Sequence, residues 1–405
     1  MGTIRFRNHG VNTKGLRVAV IGGGIGGLTA AIALRRVGAE VRVYERAPAI
    51  KEVGAGLSVW ANAVRVLDAL GVGDRLRSRA EPMTVLGLYS ADGRRLSMAD
   101  IAARTAKRGT PSFLMHRAEL QGALLESLPD GVVVTGAECA SVAETKEGAA
   151  VQFKDGASAH ADVVIGADGF NSVVRRQLWG NTPARYSGQT CYRGVVRMPI
   201  ARPGLLAEIY GRGVRLGLGP IAPDRMYWFA CHNASRDQPE DPRGAKAKLL
   251  DLFRGWPMGV ADVIAATPDE AILRNDLCDR APLRRWNRGP VTLLGDAAHP
   301  MTPNLGQGAC AAIEDAAVLA RCVREEADIA SALKRYGAAR IPRTTRLAEL
   351  SARFGRWACW SHPAMVGLRS TLLRWAPAPL MRRELDWQYD FDAGAGALAV
   401  GASAR

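Results

Sequence analysis

Apolar and polar stretches follow one another along the chain in the manner of alternating strands and helices. Residues 16–21, LRVAVI, form a short apolar run, and residues 28–38, LTAAIALRRVG, continue as a helix that ends at Gly38. Residues 40–45, EVRVYE, predict a second strand. Two later apolar runs, 162–167 (DVVIGA) and 291–295 (VTLLG), are typical of buried strands. The pattern predicts an α/β fold.

A different pattern fills the middle of the chain. Residues 190–198 (TCYRGVVRM), 207–220 (AEIYGRGVRLGLGP) and 225–233 (RMYWFACHN) are rich in aromatic and β-branched residues and are broken by glycine and proline, which predicts strands. Alternation along the last stretch separates two sets of side chains. One face would carry Tyr227, Phe229 and Cys231, and the other Trp228, Ala230 and His232. Residues 326–405 predict a helical region.

The first strand and helix enclose a glycine-rich turn. Gly22, Gly24 and Gly27 occupy the three glycine positions of G-x-G-x-x-G. The first allows a tight turn, the second lets the backbone approach a pyrophosphate, and the third lets the helix pack on the strand. Glu45 follows Gly24 by 21 residues, at the spacing of an acid that binds a ribose diol. Because an acid repels a 2′-phosphate, the motif predicts binding of FAD or NAD rather than NADP.

Two glycine–aspartate elements follow the later apolar runs. Asp168 and Gly169 end the first run, although these residues are also common at ordinary strand-to-helix turns. Asp296 ends the second run, where a carboxylate can accept hydrogen bonds from a polyol chain. A bend stiffened by Pro300 and Pro303 then leads to a helix that starts without side chains at Gly306 and Gly308. Alanines recur along it at roughly helical spacing and predict a closely packed face: Ala309, Ala312, Ala316 and Ala320.

Composition narrows the class of protein. A chain of 405 residues predicts two or three domains, and 48% hydrophobic and 23% charged residues are ordinary for a soluble globular protein. No apolar run approaches the roughly 18 residues that span a bilayer. Residues 1–15 lack the apolar core of a signal peptide and predict a disordered leader, so we expect a cytoplasmic protein. The seven cysteines and six histidines show neither disulfide nor metal-ligand spacing, and we expect no metal.

The net charge of +15 is carried almost entirely by arginine, which supplies 46 of the 54 basic residues. A nucleic-acid-binding protein usually concentrates its charge in a patch or arm. Here the arginines are spread from end to end without an aromatic–basic cluster, so we expect no nucleic-acid partner. Two explanations stay open: attraction of an anionic cofactor and a compositional bias toward arginine.

Together these elements resemble the group A flavoprotein monooxygenases, which have the hydroxybenzoate hydroxylase fold. The resemblance rests on the order G-x-G-x-x-G, Glu45, ADG at 167–169 and LGDAAHPMTPNLGQGACAAIEDA at 294–316. TCYRGVV at 190–196 is most similar to the branch of salicylate, urate and 6-hydroxynicotinate hydroxylases and zeaxanthin epoxidase. GAGLSVWANAVRVLDALG at 54–71 also matches a family pattern, except that Ala61 stands where proline is usual.

The resemblance implies an α/β fold, in which a mostly antiparallel substrate-binding sheet is inserted into a Rossmann-like FAD-binding domain and helices follow at the C-terminus. It implies an FAD-binding domain of 16–80, 112–182 and 285–325, a substrate-binding domain of 81–111 and 183–284, and C-terminal helices over 326–405. It also implies roles in FAD binding for a larger set: Gly22, Gly24, Gly27, Glu45, Arg46, Arg117, Asp168, Gly169, Asp296, Pro303, Gly306, Gln307 and Gly308.

The family's activity implies hydride transfer from NAD(P)H to FAD and reaction with O2 through a flavin C4a-hydroperoxide. Such an intermediate needs a dry site and an electron-rich substrate, so we expect hydroxylation of a small or medium aromatic metabolite. Since the chain has one G-x-G-x-x-G motif, NAD(P)H would dock only transiently. The absence of CxxC argues against disulfide reductases, and the absence of W-x-W-x-I-P against flavin halogenases.

Candidate substrate residues lie on the predicted middle strands. Arg215 and Tyr227 resemble an Arg/Tyr pair with an active-site role in urate hydroxylases, and we give them as catalytic candidates, although they could only shape the sheet. Tyr192, Arg193 and Phe229 are further candidates to line the substrate pocket, with cross-strand packing as the alternative. Two other functions stay open: epoxidation or oxidative rearrangement of an isoprenoid or polyketide, and a non-enzymatic flavin redox sensor or basic nucleic-acid binder. We expect a monomer or homodimer.

Overall fold

The structure is a computed structural model that describes residues 13–50, 54–375 and 378–398. The predicted leader, residues 1–15, falls almost entirely outside these ranges. Within them, no helix combines the length and the apolar character that crossing a membrane requires.

The strands are short and fall into four sheets. In chain order they are β1 Arg17–Ile21, β2 Glu40–Glu45, β3 Gly56–Val59, β4 Glu81–Pro82, β5 Val85–Ser90, β6 Arg95–Asp100, β7 Phe113–His116, β8 Val133–Thr135, β9 Cys139–Thr145, β10 Gly148–Phe153, β11 Ser158–Ala161, β12 Val163–Gly166, β13 Arg185–Arg197, β14 Leu205–Tyr210, β15 Val214–Ala222, β16 Arg225–Asn233, β17 Leu273–Asp279 and β18 Val291–Leu293.

The helices flank these sheets and dominate the C-terminal part of the chain. They are α1 Ile25–Arg36, α2 Ala61–Ala69, α3 Gly73–Arg77, α4 Ile101–Arg108, α5 Arg117–Leu125, α6 Val173–Trp179, α7 Ala245–Leu252, α8 Val260–Ala266, α9 Gly308–Glu325, α10 Ile329–Ala358, α11 Pro363–Trp375 and α12 Ala378–Tyr389. Short 3-10 helices cover Asp269–Ala271, Gly295–Ala297, Pro303–Leu305 and Ala395–Leu398.

A five-stranded parallel sheet in the order β18-β12-β1-β2-β8 holds the motif-bearing segments. Its central strands are apolar because both faces are covered; β12, for example, is buried along its whole length. The carboxyl ends of β1, β12 and β18 are neighbours at one edge. The glycine-rich turn, the Asp168–Gly169 element and Asp296 follow these three strands directly, so the topology brings all three sequence elements to one place.

A seven-stranded sheet lies over this edge in the order β17-β13-β16-β15-β14-β5-β6. Its pairings are antiparallel except for β14 with β5. One face buries the apolar residues around Trp228 with α7 and α8, and the other looks toward the motif-bearing edge. The remaining sheets, β11-β10-β9 and β3-β7-β4, are antiparallel and three-stranded.

Helix α9 packs against both the first helix, α1, and the C-terminal helix α10. A Cβ placed at Gly26 of α1 would lie 3.1 Å from the Ala312 Cβ of α9, so small residues on both helices permit the close approach. Ala312, Ala316 and Ala320 of the predicted alanine face are buried, Ala309 lines the cavity, and α10 packs along α9. The predicted fold class is confirmed. The exact domain limits stay a prediction, but the strands of the seven-stranded sheet come from 85–100 and 185–279.

Candidate active site

The glycine-rich turn forms one end of a deep cavity. Gly22 has φ +110°, and a Cβ there would lie 2.4 Å from the Ala167 carbonyl oxygen. A Cβ at Gly27 would lie 2.0 Å from the Gly22 oxygen, so these two glycines serve the turn and the packing of α1 on β1. At Gly24 a Cβ would meet no atom within 4 Å, and the residue lines the cavity. Gly24 therefore leaves its backbone open to a phosphate at the helix N-terminus.

Glu45 and Gln121 hold this turn in place. The Glu45 carboxylate accepts hydrogen bonds from the Gly23 and Ala47 backbone N–H groups at 2.7 and 2.9 Å, and Arg46 beside it is exposed. The Gln121 amide of α5 donates to the Gly23 oxygen at 2.7 Å. Gln121 was not predicted, although it lies one helical turn after Arg117. Arg117 itself lines the cavity, as expected for a phosphate or ribityl contact.

The Asp168 carboxylate is held by protein hydrogen bonds. Its carboxylate accepts hydrogen bonds from the Ser172 hydroxyl at 2.5 Å and the Val173 N–H at 2.7 Å, so it caps the start of α6. Burial raises the pKa of Asp168, and these hydrogen bonds oppose that effect. Its side chain does not line the cavity, whereas Gly169 does. The Asp168 carboxylate therefore supports the adjacent turn, and a part for Asp168 in cofactor binding stays a prediction.

Arg175 ties two of the motif elements together and was not predicted as a site residue. This arginine is 2% exposed, and its guanidinium donates to the carbonyl oxygens of Ala297 and Ala298 at 3.1 and 2.8 Å. It thereby links the turn after β12 to the segment after β18. The only sequence signal was a basic residue six positions after Gly169.

Asp296 presents an unsatisfied carboxylate to the cavity. It lines the cavity wall, and its carboxylate accepts no hydrogen bond from any part of the chain that the structure describes. The side chain is open to the cavity, and desolvation by the many protein atoms around it raises the pKa of Asp296, while the charges of His299 and Arg117 oppose the rise. A carboxylate without a protein partner fits the hydroxyls of a polyol such as the ribityl chain.

The loop after Asp296 brings bare backbone to the cavity. Pro303 starts a 3-10 turn, Gly306 takes the left-handed conformation with φ +63°, and α9 begins at Gly308; all three line the cavity. An 18-residue helix directs unpaired N–H groups and partial positive charge from this end. The Gln307 side chain is turned away and accepts a hydrogen bond from Asn62 at 3.1 Å, so its predicted part in cofactor binding would fall to its backbone.

A buried ion network beneath α9 supports this helix start. Arg340 of α10 contacts Asp315 at 2.6 Å and Glu314 at 2.8 Å, and His299 contacts Asp315 at 2.6 Å. Burial opposes ionisation of Asp315, but the charges of His299 and Arg340 outweigh it and lower its pKa. Arg343 also pairs with Glu314 at 2.7 Å. None of these pairs was predicted, because the partners come from separate segments of the chain.

The inner face of the seven-stranded sheet forms the opposite wall. Register places Arg193 of β13 opposite Phe229 of β16, and Arg215 of β15 opposite Cys231. These four side chains line the cavity together with Tyr227, so the predicted alternation in β16 is observed. The whole cavity has a volume of about 970 Å³ and runs from Gly24 to the far strands of this sheet.

Tyr192 lies on the other face of the sheet. It pairs with Ala230, its ring stacks on His232, and its hydroxyl donates to the Glu240 carboxylate at 2.8 Å. The prediction that Tyr192 lines the substrate pocket is therefore wrong. Its neighbours Cys191 and Arg193 point into the cavity instead, because side chains alternate along the strand.

Arg215 is committed to protein contacts. It is 2% exposed, and its two terminal nitrogens donate to Glu208 at 3.2 Å and to the Asn304 side-chain oxygen at 2.6 Å. Its guanidinium also lies over the rings of Phe229 and Phe354. Asn304 belongs to the loop that precedes α9. Arg215 thus joins the sheet to the loop at the helix start.

The Arg193 guanidinium and the Tyr227 hydroxyl also face the cavity, and neither has a carboxylate partner among the described residues. Arg193 forms no ion pair with a carboxylate among the described residues, and the Tyr227 hydroxyl makes no hydrogen bond there. The Cys191 thiol lies opposite the Cys231 thiol. The hydrogen bond from Cys231 and the positive charges of Arg193 and Arg215 lower the pKa of Cys191. Negative charge is therefore favoured at this part of the wall.

Comparison with known proteins agrees with this geometry. Residues 15–351 match a family model described as an FAD binding domain. An aurachin C monooxygenase/isomerase of Stigmatella aurantiaca is 39% identical over 361 residues, which cover 89% of this chain and 94% of that protein. A 2-heptyl-3-hydroxy-4(1H)-quinolone synthase of Pseudomonas aeruginosa is 34% identical over 376 residues, or 91% of this chain and 96% of that protein.

A solved structure extends the agreement to the whole fold. Klebsiella pneumoniae HpxO complexed with FAD and uric acid superposes with a TM-score of 0.86 at 31% identity, over 95% of this chain and 97% of that one. The open backbone at Gly24, the unpartnered Asp296 carboxylate and the bare start of α9 all fit FAD. The predictions of an FAD cofactor and of monooxygenase chemistry are confirmed, and the chain belongs to the FAD-binding family of group A flavoprotein monooxygenases.

Proposed function

We propose that the enzyme hydroxylates an electron-rich aromatic or heteroaromatic ring whose carbonyl or phenolate oxygen is held by Arg193 and Tyr227. The observation that carries the proposal is that, among the described residues, Arg193 faces the cavity with the Cys191 thiol as a partner but no carboxylate, and the Tyr227 hydroxyl faces it without a hydrogen bond. A guanidinium without a carboxylate and a phenol without a hydrogen bond gain most from a ligand that displaces water and supplies an acceptor. A substrate oxygen supplies it.

The cofactor would occupy the other wall of the cavity. We assign Gly24 and Arg117 to its phosphates, Asp296 to its ribityl hydroxyls, and the N-terminus of α9 to its ring. FAD, when bound, accepts a hydride from NAD(P)H and activates O2. The overall reaction balances as substrate–H + O2 + NAD(P)H + H⁺ giving substrate–OH + H2O + NAD(P)⁺.

The chain's own residues orient the reactants and exclude water. The N-terminus of α9 provides positive potential that does not depend on a titratable side chain. Arg215 acts as a positioning residue, because its contacts with Glu208 and Asn304 hold the loop before α9 against the sheet. Tyr227 remains our candidate for contact with the reacting ring, and Phe229 for packing against it.

Two relatives narrow the proposed substrate. One is named for aurachin C and the other for a 3-hydroxy-4(1H)-quinolone product. A 4-quinolone combines an electron-rich ring with a carbonyl oxygen, which is the chemistry that Arg193 and Tyr227 would recognise. We therefore propose 4-quinolones as the first class of substrate for this enzyme.

The test is substrate-stimulated oxidation of NAD(P)H by the FAD-loaded enzyme, with detection of the hydroxylated product. We expect a 4-quinolone to stimulate the rate, and Arg193→Met to raise its KM by about tenfold or more, as for loss of one charged hydrogen bond. Arg197→Met, at an exposed position near the end of the same strand, is the matched control. If no aromatic compound with a carbonyl or phenolate oxygen stimulates NAD(P)H oxidation, the proposal is wrong.

A second candidate function is oxidation followed by rearrangement of the ring or of a substituent. The isomerase activity in the name of the Stigmatella relative favours it. The product's structure distinguishes the two, because a rearranged skeleton can have the same mass as a simple hydroxylated product. A cytoplasmic location and a monomeric or homodimeric state remain our proposals.

A further inference from the structure

The cavity extends well beyond the proposed anchors Arg193 and Tyr227. One row of side chains crosses five strands: Tyr227 pairs with Gly219, a Cβ at Gly219 would lie 3.3 Å from Leu206, and Leu206 pairs with Leu86, which pairs with Ala99. All but Gly219 line the cavity, and none of the five carries a charge. The row crosses four strand spacings, or about 19 Å. A flat ring held near Tyr227 therefore leaves the β5–β6 end of the row for another group.

The neighbouring row of side chains, around Leu88, offers no unpaired charge to a ligand. Leu88 of β5 lies between Ser97 and Glu208 and lines the cavity. Glu208 is neutralised by Arg215 at 3.2 Å and accepts a hydrogen bond from the Tyr210 hydroxyl at 2.7 Å. Its charge is thus already paired within the protein. Glu208 does not supply a binding group for a charged ligand at this end.

The C-terminal helices close the other side of this end. Phe354 of α10 and Leu385 of α12 line the cavity there, and the Tyr389 ring stacks on Trp60 at 4.2 Å between centroids. Ser97 and the Gln388 amide add limited polarity. A substituent bound between these helices and β5–β6 would be transferred from water to a mainly apolar surface. Such a surface favours a hydrocarbon substituent.

We propose that the substrate carries an apolar alkyl or prenyl chain that lies along Leu86, Leu88 and Ala99, while its aromatic ring stays near Tyr227. The inference rests on the proposed function and adds a substituent that takes no part in the bond changes. The hydrocarbon chain and the ring can belong to one substrate, because a single cavity joins the β5–β6 end to Tyr227.

The test compares 2-methyl- and 2-heptyl-4(1H)-quinolone on the FAD-loaded enzyme. Binding is measured by the change in flavin absorption, and turnover by NAD(P)H oxidation. We expect the heptyl compound to bind at least about tenfold more tightly, since burial of two methylene groups is worth about that factor. Ala99→Phe should weaken heptyl binding by about tenfold and leave methyl binding within about twofold, because the new ring fills only the far end.

Met98→Phe is the matched control, because Met98 adjoins Ala99 on β6 but is 48% exposed and does not line the cavity. Leu86→Ala is a second variant, and it should weaken heptyl binding alone. Equal binding of the two compounds by the native enzyme would overturn the chain proposal while the hydroxylase proposal stands. Equal loss of both compounds in Ala99→Phe would also overturn it. If neither compound binds or is oxidised, the proposed quinolone substrate fails and the chain proposal fails with it.

Discussion

Replacing Asp296 by asparagine should weaken FAD binding without weakening the fold. In the part of the chain that the structure describes, the carboxylate accepts no hydrogen bond, so the substitution breaks no protein contact. With FAD bound, we propose that it accepts at least one hydrogen bond from a ribityl hydroxyl. A hydrogen bond to a charged group contributes about 1.5–3 kcal/mol, which corresponds to an affinity loss of about 10- to 150-fold.

In the assay, flavin-free protein is titrated with FAD, and binding is measured as quenching of the flavin fluorescence. Asp130→Asn, at an exposed turn, is the matched acid-to-amide control and should bind FAD like the native enzyme. Both variants should unfold in urea with the native midpoint well below pH 3.8, where the Asp296 carboxyl is neutral in both states. An FAD affinity for Asp296→Asn within about twofold of native would refute the assignment of this carboxylate.

The raised pKa of Asp296 predicts how the stability of the flavin-free protein depends on pH. Well below its ordinary value of 3.8, the carboxyl is neutral in the folded and unfolded states, and desolvation by the nearby protein costs little. As pH rises from 3.8 through the raised folded-state pKa, the unfolded state gains more from ionisation, so stability is lost. Asp296→Asn should therefore be more stable than native protein near pH 7, and the difference should vanish in acid. Native protein that is the more stable near pH 7 would contradict this.

Three further predictions concern residues around the site. Arg340→Met should lower the free energy of unfolding by about 3–5 kcal/mol in urea titration, because it removes the buried cation that bridges Glu314 and Asp315. Arg335→Met, at an exposed arginine paired with Glu326, should cost less than about 1 kcal/mol, and equal losses would argue against the network. Tyr192→Phe should keep native kcat and KM, since its hydroxyl faces away from the cavity. A tenfold loss of kcat/KM would indicate that Tyr192 contacts the substrate after all. Cys191 should react with iodoacetamide at lower pH than an ordinary thiol, and Arg193→Met should move that pH profile upward; an unchanged profile would show that the guanidinium does not lower its pKa.

Much of the cofactor side could be predicted from sequence because it depends on local order. Gly24 and Asp296 each directly follow a buried strand, and the carboxyl ends of adjacent parallel strands meet at one edge. The glycines at 306 and 308 also predict where no side chain covers the backbone. Asp168 has the same kind of position, but its carboxylate caps α6. Sequence spacing alone does not separate these two uses of an acid.

The substrate side depended on register, which the sequence did not reveal. The pairing of Tyr192 with Ala230 determines that Tyr192 faces away from the cavity, while Arg193 faces into it. The buried pairing of Arg340 with Asp315 joins two helices and has no local signal. Arg215 was identified as important, but its contacts with Glu208 and Asn304 give it a structural connection that alternation could not predict.

The central claim is that this enzyme transfers one oxygen atom from O2 to an aromatic ring. The most direct measurement is turnover of a stimulating 4-quinolone with NAD(P)H under isotope-labelled dioxygen, followed by mass spectrometry of the product. We predict that one labelled oxygen atom enters the product, and that labelled water under ordinary dioxygen leaves it unlabelled. Oxygen that comes from water, or NAD(P)H oxidation that yields hydrogen peroxide without an oxygenated product, would contradict the account.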